Sequence, residues 1–215
     1  MNWGWVQNNL RDIAALLGQH ALLAVVPVLA ALVIALPLGY LVFRTGKAAN
    51  PILAVLGVVY SIPSLALFVA LPLVLRTPIL DPLNVAVALT IYAVALLVRS
   101  VVDGLRAVPR DVKQSASAVG FSRWGRLLRV ELPLAMPVVF AGLRVVTVSN
   151  IALVTVAVLV ASGGLGQLFL RGYNSIFYTP LIVGLVLTVA LALLMDGIIL
   201  LIQRGTLPWA RGRRA

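Results

Sequence analysis

Five long apolar stretches, at roughly residues 20–43, 51–75, 83–102, 133–161 and 178–203, constrain this chain more than any other feature. About 20 apolar residues carry a helix across a bilayer. The chain is 62% hydrophobic and 11% charged, with a mean hydropathy of +1.09, where a soluble domain carries about 25% charged residues. The expectation is an all-α, polytopic membrane bundle of about five transmembrane helices. Pro27 and Pro37 fall in the first stretch, Pro63 and Pro72 in the second. Prolines are tolerated in lipid where neighbouring helices or water satisfy the freed carbonyls, so these spans belong to a packed bundle rather than to isolated anchors.

The net charge of +11 does not indicate nucleic acid, because the basic residues sit in short loops between apolar runs instead of on a folded soluble face. Arg44, Lys47, the stretch from Arg99 to Arg129, Arg204, Arg211, Arg213 and Arg214 hold thirteen of the seventeen basic residues. Arg11, Arg76 and Arg171 occupy the other set of loops. The positive-inside rule makes the rich set cytoplasmic. This predicts a multi-pass membrane protein with its N-terminus outside and its C-terminus inside. Residues 1–19 read as an extracytoplasmic or interfacial segment with Trp3 and Trp5 as aromatic anchors, retained because no basic start or small-residue cleavage site precedes them. Residues 20–203 are the transmembrane domain, with a cytoplasmic loop over about 103–132, and 204–215 form a basic tail.

Catalytic chemistry finds little support. There is no cysteine, and the lone His20 reads as an interfacial residue. The six acids show no spacing that suggests a general acid/base pair. Asp196 lies within the fifth span, where charge is expensive, and reads as an ion-pair partner, with Arg144 as one candidate. Arg144 is otherwise near enough to the loop end of the fourth span to snorkel. No catalytic residue or metal site is expected. A P-loop is missing too: around Gly46 and Lys47, Leu41 stands where its first Gly belongs and Ala48 where Ser or Thr belongs.

The stretch "AVGFSRWGRLLRVELP", residues 118–133, interrupts this apolar chain with Arg123, Arg126 and Arg129. "PRDVKQSASAVG" can form a short helix, with Pro109 in its first turn, Asp111 complementing the dipole and Gly120 as terminator. Val108, Val112, Ala116 and Val119 give it a modest apolar stripe. A second short helix starts from Ser122 as its cap. By pattern alone, docking to a partner and contact with anionic lipid are equally supported.

The spacing of "QSASAVGFSRWGRLLRVELPLAMP" resembles the cytoplasmic signature of permease subunits of bacterial ABC importers. That signature runs Glu-Ala-Ala, three residues, Gly, nine residues, Ile, any residue, Leu-Pro. Gln114, Ser115 and Ala116 take the first three places, followed by Gly120, Val130, Leu132 and Pro133. Gln114 lacks the charge of the family Glu. The resemblance implies a type I ABC importer permease fold in which this segment is a coupling helix seated in a cleft of a separate ATPase. It also implies a dimer of ATPase subunits, which bind the ATP and Mg. The permease itself binds no cofactor and works in alternating access with an extracytoplasmic solute-binding protein and a second copy or a related permease.

"YSIPSLALFVALPLV", residues 60–74, and "ASGGLGQLF", residues 161–169, are similar to segments of permeases for glycine betaine, choline, carnitine and proline. A methionine or other small-solute permease shares the five-span core, and a scaffold that only recruits a cytoplasmic partner is the reading from another class. Candidate path-lining residues are Ser61, Ser64, Thr147, Ser149, Asn150 and Thr155, with Asn150 foremost as the bulkiest mid-span polar group. For each, an interhelical hydrogen bond is the competing role. Tyr60, Phe68, Tyr92 and Phe140 are scattered and read as packing residues rather than an aromatic cage.

Overall fold

The computed structural model describes residues 1–160 and 163–209, and among these every regular element is helical. Ala161, Ser162, Arg211, Arg213 and Arg214, all used in the sequence reading, lie outside the described residues.

A short helix α1 (Trp3–Asn8) leads into α2 (Leu10–Arg44), which is 35 residues long. Residues 10–19 are helical and run without a break into the first apolar stretch. No proline interrupts them, and Ile13, Leu16 and His20 continue the buried stripe formed by Ala24, Ala31, Ala35 and Gly39. These small residues let α5 (Pro82–Ala107) approach closely. A Cβ on Gly39 would lie 2.6 Å from Cβ of Val101, so only glycine fits there. Asp81 caps α5 by accepting the Leu83 N–H at 2.9 Å. Leu89, Leu97, Val98 and Leu105 of α5 are fully buried, which makes it the central helix.

The second apolar stretch is not one kinked helix. After a 3-10 turn over Gly46–Ala48 it forms α3 (Ala49–Ser61) and α4 (Ser64–Leu75), bent by 95°. Ile62 and Pro63 are both extended, with ψ of 131° and 129°, which is the backbone a residue before proline favours. Three contacts show that the pair still crosses from one end of α5 to the other. Arg106 donates to Asn50 Oδ1 at 2.9 Å, Tyr92 Oη donates to the Ile62 carbonyl at 2.8 Å, and Asn84 Nδ2 donates to the Pro78 carbonyl at 2.9 Å. The bent pair is one crossing.

Beyond α5 come α6 (Arg110–Ala118), α7 (Arg123–Arg126), a π-helical turn over Leu127–Glu131, and α8 (Leu132–Ala157). The short α9 (Gly166–Asn174) precedes α10 (Tyr178–Thr206). Among the described residues, four continuous helices and the bent pair give five crossings, and α10 turns Leu185, Val186, Val189 and Leu193 outward.

Candidate functional site

The loop after α5 folds into a compact bracket. Val108 is extended ahead of Pro109, which ends α5 and starts α6 one residue before its first helical position. Gly120 closes α6 at φ +89°, the left-handed conformation glycine adopts without a Cβ penalty. Phe121 N–H then donates to the Ala116 carbonyl and Gly120 N–H to that of Ser117, both at 3.1 Å, which is the Schellman pattern. Ser122 accepts the Gly125 N–H at 3.1 Å and caps α7.

Glu131 ties this bracket to the bundle. Its side chain is 6% exposed and sits at the end of the π-helical turn. Arg126 Nε donates to Oε1 at 2.6 Å, and Lys113 Nζ lies 3.9 Å from Oε2. Arg126 also donates to Ser117 Oγ at 2.7 Å. Lys113 donates to the Leu105 carbonyl at 2.9 Å and stands 5.1 Å from the centre of the Phe43 ring. Lys113 and Ser117 are four residues apart, so one face of α6 is fastened at two points to α2, α5 and the start of α8.

The opposite face of α6 is open. Gln114 and Ser115 are exposed, as are Ala118 and Val119, the latter at 76%. Ala116 is buried against the bundle, and Val130, Leu132 and Pro133 are half-buried at the base of α8. The seven residues expected at the coupling site thus divide. Gln114, Ser115 and Gly120 form a presented edge, while Ala116, Val130, Leu132 and Pro133 lie beneath it or behind it. An open hollow of about 530 Å³ beside that edge is lined by Val119, Phe121, Trp124, Leu128 and Arg129. Of the three arginines, Arg126 turns inward to Glu131, whereas Arg123 and Arg129 are exposed.

The six candidate path residues are spread over α3, α4 and α8. Ser61, Thr147 and Thr155 donate to carbonyls of their own helices, those of Gly57, Leu143 and Ala152. On α8, Thr147 and Asn150 face inward, and Ser149 stands beside the outward residues Val145, Val148 and Ala152. Asn150 is 1% exposed, and its Nδ2 has no hydrogen-bond partner among the described residues. Ser64 lines a cavity of about 150 Å³ with Tyr60, Ile62, Tyr92 and Leu153. Tyr60 and Tyr92 are therefore not scattered; their rings meet edge to face at 5.8 Å.

Two further linkages hold the bundle. Arg144 of α8 clamps Asp196 of α10 with two bonds of 2.6 and 2.7 Å, so Arg144 is paired across helices instead of reaching for the interface alone. His20 is fully buried, contrary to its reading as an interfacial residue. Its Nδ1 accepts the Leu165 N–H at 3.1 Å, which leaves Nε2 to donate to the Ile151 carbonyl at 2.9 Å. Its partners are main-chain atoms, and no side-chain pattern announces them. At the same end Arg171 pairs with Asp12, and Gly163 and Gly164 both have positive φ ahead of Leu165.

A five-crossing bundle with a tied bracket on one loop is the build of a permease subunit in a multi-protein membrane transporter. The chain belongs to the family of binding-protein-dependent transport system inner membrane components, which matches residues 28–207. This family comprises the permease components of ABC transporters and not their ATPases. The chain is 33% identical over 195 residues to the osmoprotectant import permease protein OsmW of Salmonella typhimurium, covering 89% of this chain and 90% of that one. It is 29% identical to the glycine betaine/carnitine/choline transport system permease protein OpuCB of Bacillus subtilis, covering 95% and 93%. Among solved structures, an inward-facing form of the MetNI methionine ABC transporter is similar at a TM-score of 0.76 and 26% identity, over 87% of this chain and 93% of that one. An amino acid ABC transporter matches at a TM-score of 0.74 and 13% identity, over 95% and 98%, a likeness of fold alone.

Proposed function

We propose that this chain is the permease of an ATP-driven importer of compatible solutes such as glycine betaine, choline, carnitine or proline. The observation that carries the reading is the two-faced α6. Its polar edge, Gln114 and Ser115, is free for an ATPase subunit, while its other face is bonded to the base of α8 through Arg126 and Glu131. A push on α6 is thereby delivered to a membrane helix. Closure of an ATPase dimer then shifts the population between inward- and outward-open states. A second permease copy or a related permease completes the path, and a separate binding protein delivers the solute. The α6 end is the cytoplasmic one in this reading, because it gathers Arg44, Lys47, Arg106, Arg110 and Arg123.

The solute class is supported by the names of relatives about 30% identical over most of the chain. Uptake of labelled glycine betaine, choline, carnitine, proline and methionine into cells lacking this chain, with and without a plasmid copy, tests it. Restored uptake of a quaternary amine is expected. Restored uptake of methionine alone would assign the chain to the other solute class.

A further inference from the structure

The break in the second crossing carries an inference about how a solute is met inside the membrane. Ile62 and Pro63 interrupt the helix, and the Ile62 carbonyl, left without a helical partner, accepts the Tyr92 hydroxyl at 2.8 Å. That bond and near-complete burial, at 2% exposure, fix the Tyr92 ring. Tyr60 meets it at 86°, with centroids 5.8 Å apart, and remains 38% exposed. The two rings form perpendicular walls of the cavity of about 150 Å³ that Ile62, Ser64 and Leu153 complete. Tyr92 stands ten positions after Pro82 at the head of α5, hence about 15 Å along the helix at 1.5 Å per residue. That is near the middle of a hydrocarbon core of about 30 Å.

We propose that Tyr60 and Tyr92 form a transient subsite for the quaternary ammonium head of the solute as it crosses. This rests on the solute class proposed above. Aromatic faces attract such cations through the ring quadrupole, and the apolar walls from Ile62 and Leu153 suit the methyl groups. Among the described residues no carboxylate lines the cavity, so the site would hold the cation weakly, and a transport step needs release as much as capture. The broken helix supplies polar backbone at membrane depth where it lines a cavity, and Tyr92 keeps that break open.

The test uses the complete transporter, with its ATPase and binding protein, in proteoliposomes. Position 60 carries Tyr, then Phe, then phenylalanines with one, two and three ring fluorines, which weaken the quadrupole while nearly preserving shape. The readouts are maximal uptake of labelled choline and solute-independent ATP hydrolysis. Tyr60→Phe is expected to keep uptake within about twofold. Successive fluorines lower it stepwise to about one fifth, with hydrolysis unchanged. Normal wild-type choline uptake with a flat fluorine series overturns this inference alone. A wild-type complex that moves no quaternary amine overturns the solute class and the subsite together.

Discussion

Arg126 Nε lies 2.6 Å from Glu131 Oε1, and the same guanidinium reaches Ser117 on the neighbouring helix at 2.7 Å. One arginine therefore joins the presented helix α6 to the root of the membrane helix α8. Removing Glu131 leaves Arg126 and Lys113 facing each other in a half-buried site without a counter-charge. Allowing for their partial exposure, Glu131→Ala is expected to cost about 2 kcal/mol. The proposed coupling also predicts loss of most solute-stimulated ATP hydrolysis. Glu131→Gln keeps the shape and one hydrogen bond, so it should fall between. Hydrolysis in the reconstituted complex, with and without loaded binding protein, measures this; full stimulation in Glu131→Ala would show that α6 drives α8 by another route.

Gly120 separates backbone strain from steric exclusion. A Cβ there meets nothing within 4 Å in the single chain, yet φ is +89°. Gly120→Ala should therefore cost about 1 kcal/mol through the left-handed backbone and leave most transport intact. Gly120→Trp adds bulk on the edge proposed to meet the ATPase, and is expected to abolish co-purification of that subunit while the chain still inserts. Equal ATPase recovery from both variants would place the contact elsewhere.

Much of this architecture is legible in the residues, and the failures share a cause. The five crossings follow from run length, because a bilayer imposes a threshold that sequence meets or misses. Gly120 and Ser122 act locally, through φ and through a hydroxyl three residues from its donor, so spacing is enough to find them. The anchoring role of Glu131 is not legible in the sequence, because its partners sit on two other helices that only the Gly120 turn and the π-helical turn bring within reach. Its one sequence signal is an acid between Val130 and Leu132 in a loop otherwise dominated by arginines. Pro63 signals a kink, but the 95° bend also requires Ile62 to be extended and Tyr92 to hold its carbonyl, a relationship across thirty residues. Polarity alone marks the candidate path residues in the sequence. Helical phase then separates Ser149 from Thr147 and Asn150 on the same helix.

The Arg144–Asp196 clamp gives a prediction with a built-in rescue. Two parallel hydrogen bonds between a guanidinium and a carboxylate are geometrically specific, and lysine supplies only a point charge. Arg144→Leu strands Asp196 within a membrane helix, and should lower the yield of detergent-stable protein several-fold. Arg144→Lys should recover part of it. The double variant Arg144→Leu/Asp196→Leu should recover more than either single change, because no unpaired charge remains. Size-exclusion chromatography of a fluorescent fusion reads the yields, and a double variant no better than Arg144→Leu would mean that the pair contributes more than mutual neutralisation.

His20 links three elements through one ring, accepting from Leu165 N–H and donating to the Ile151 carbonyl. The Ile151 carbonyl keeps its helical place within α8, but the fully buried Leu165 N–H loses its acceptor, at about 1–3 kcal/mol. His20→Leu keeps the bulk and removes both bonds, so it should destabilise the junction of α2, α8 and α9 by about 1–3 kcal/mol, chiefly through the stranded Leu165 N–H. His20→Asn, able to accept and to donate, should retain more stability than His20→Leu. Because Leu165 follows the positive-φ pair Gly163 and Gly164, the loss should appear first as local opening, ahead of global unfolding. Hydrogen exchange supplies the measurement: peptides covering 163–174 should exchange faster in His20→Leu, while those covering 93–105 in the centre of α5 keep their protection. Uniform acceleration across both regions would mean that His20 supports the whole bundle and not this junction.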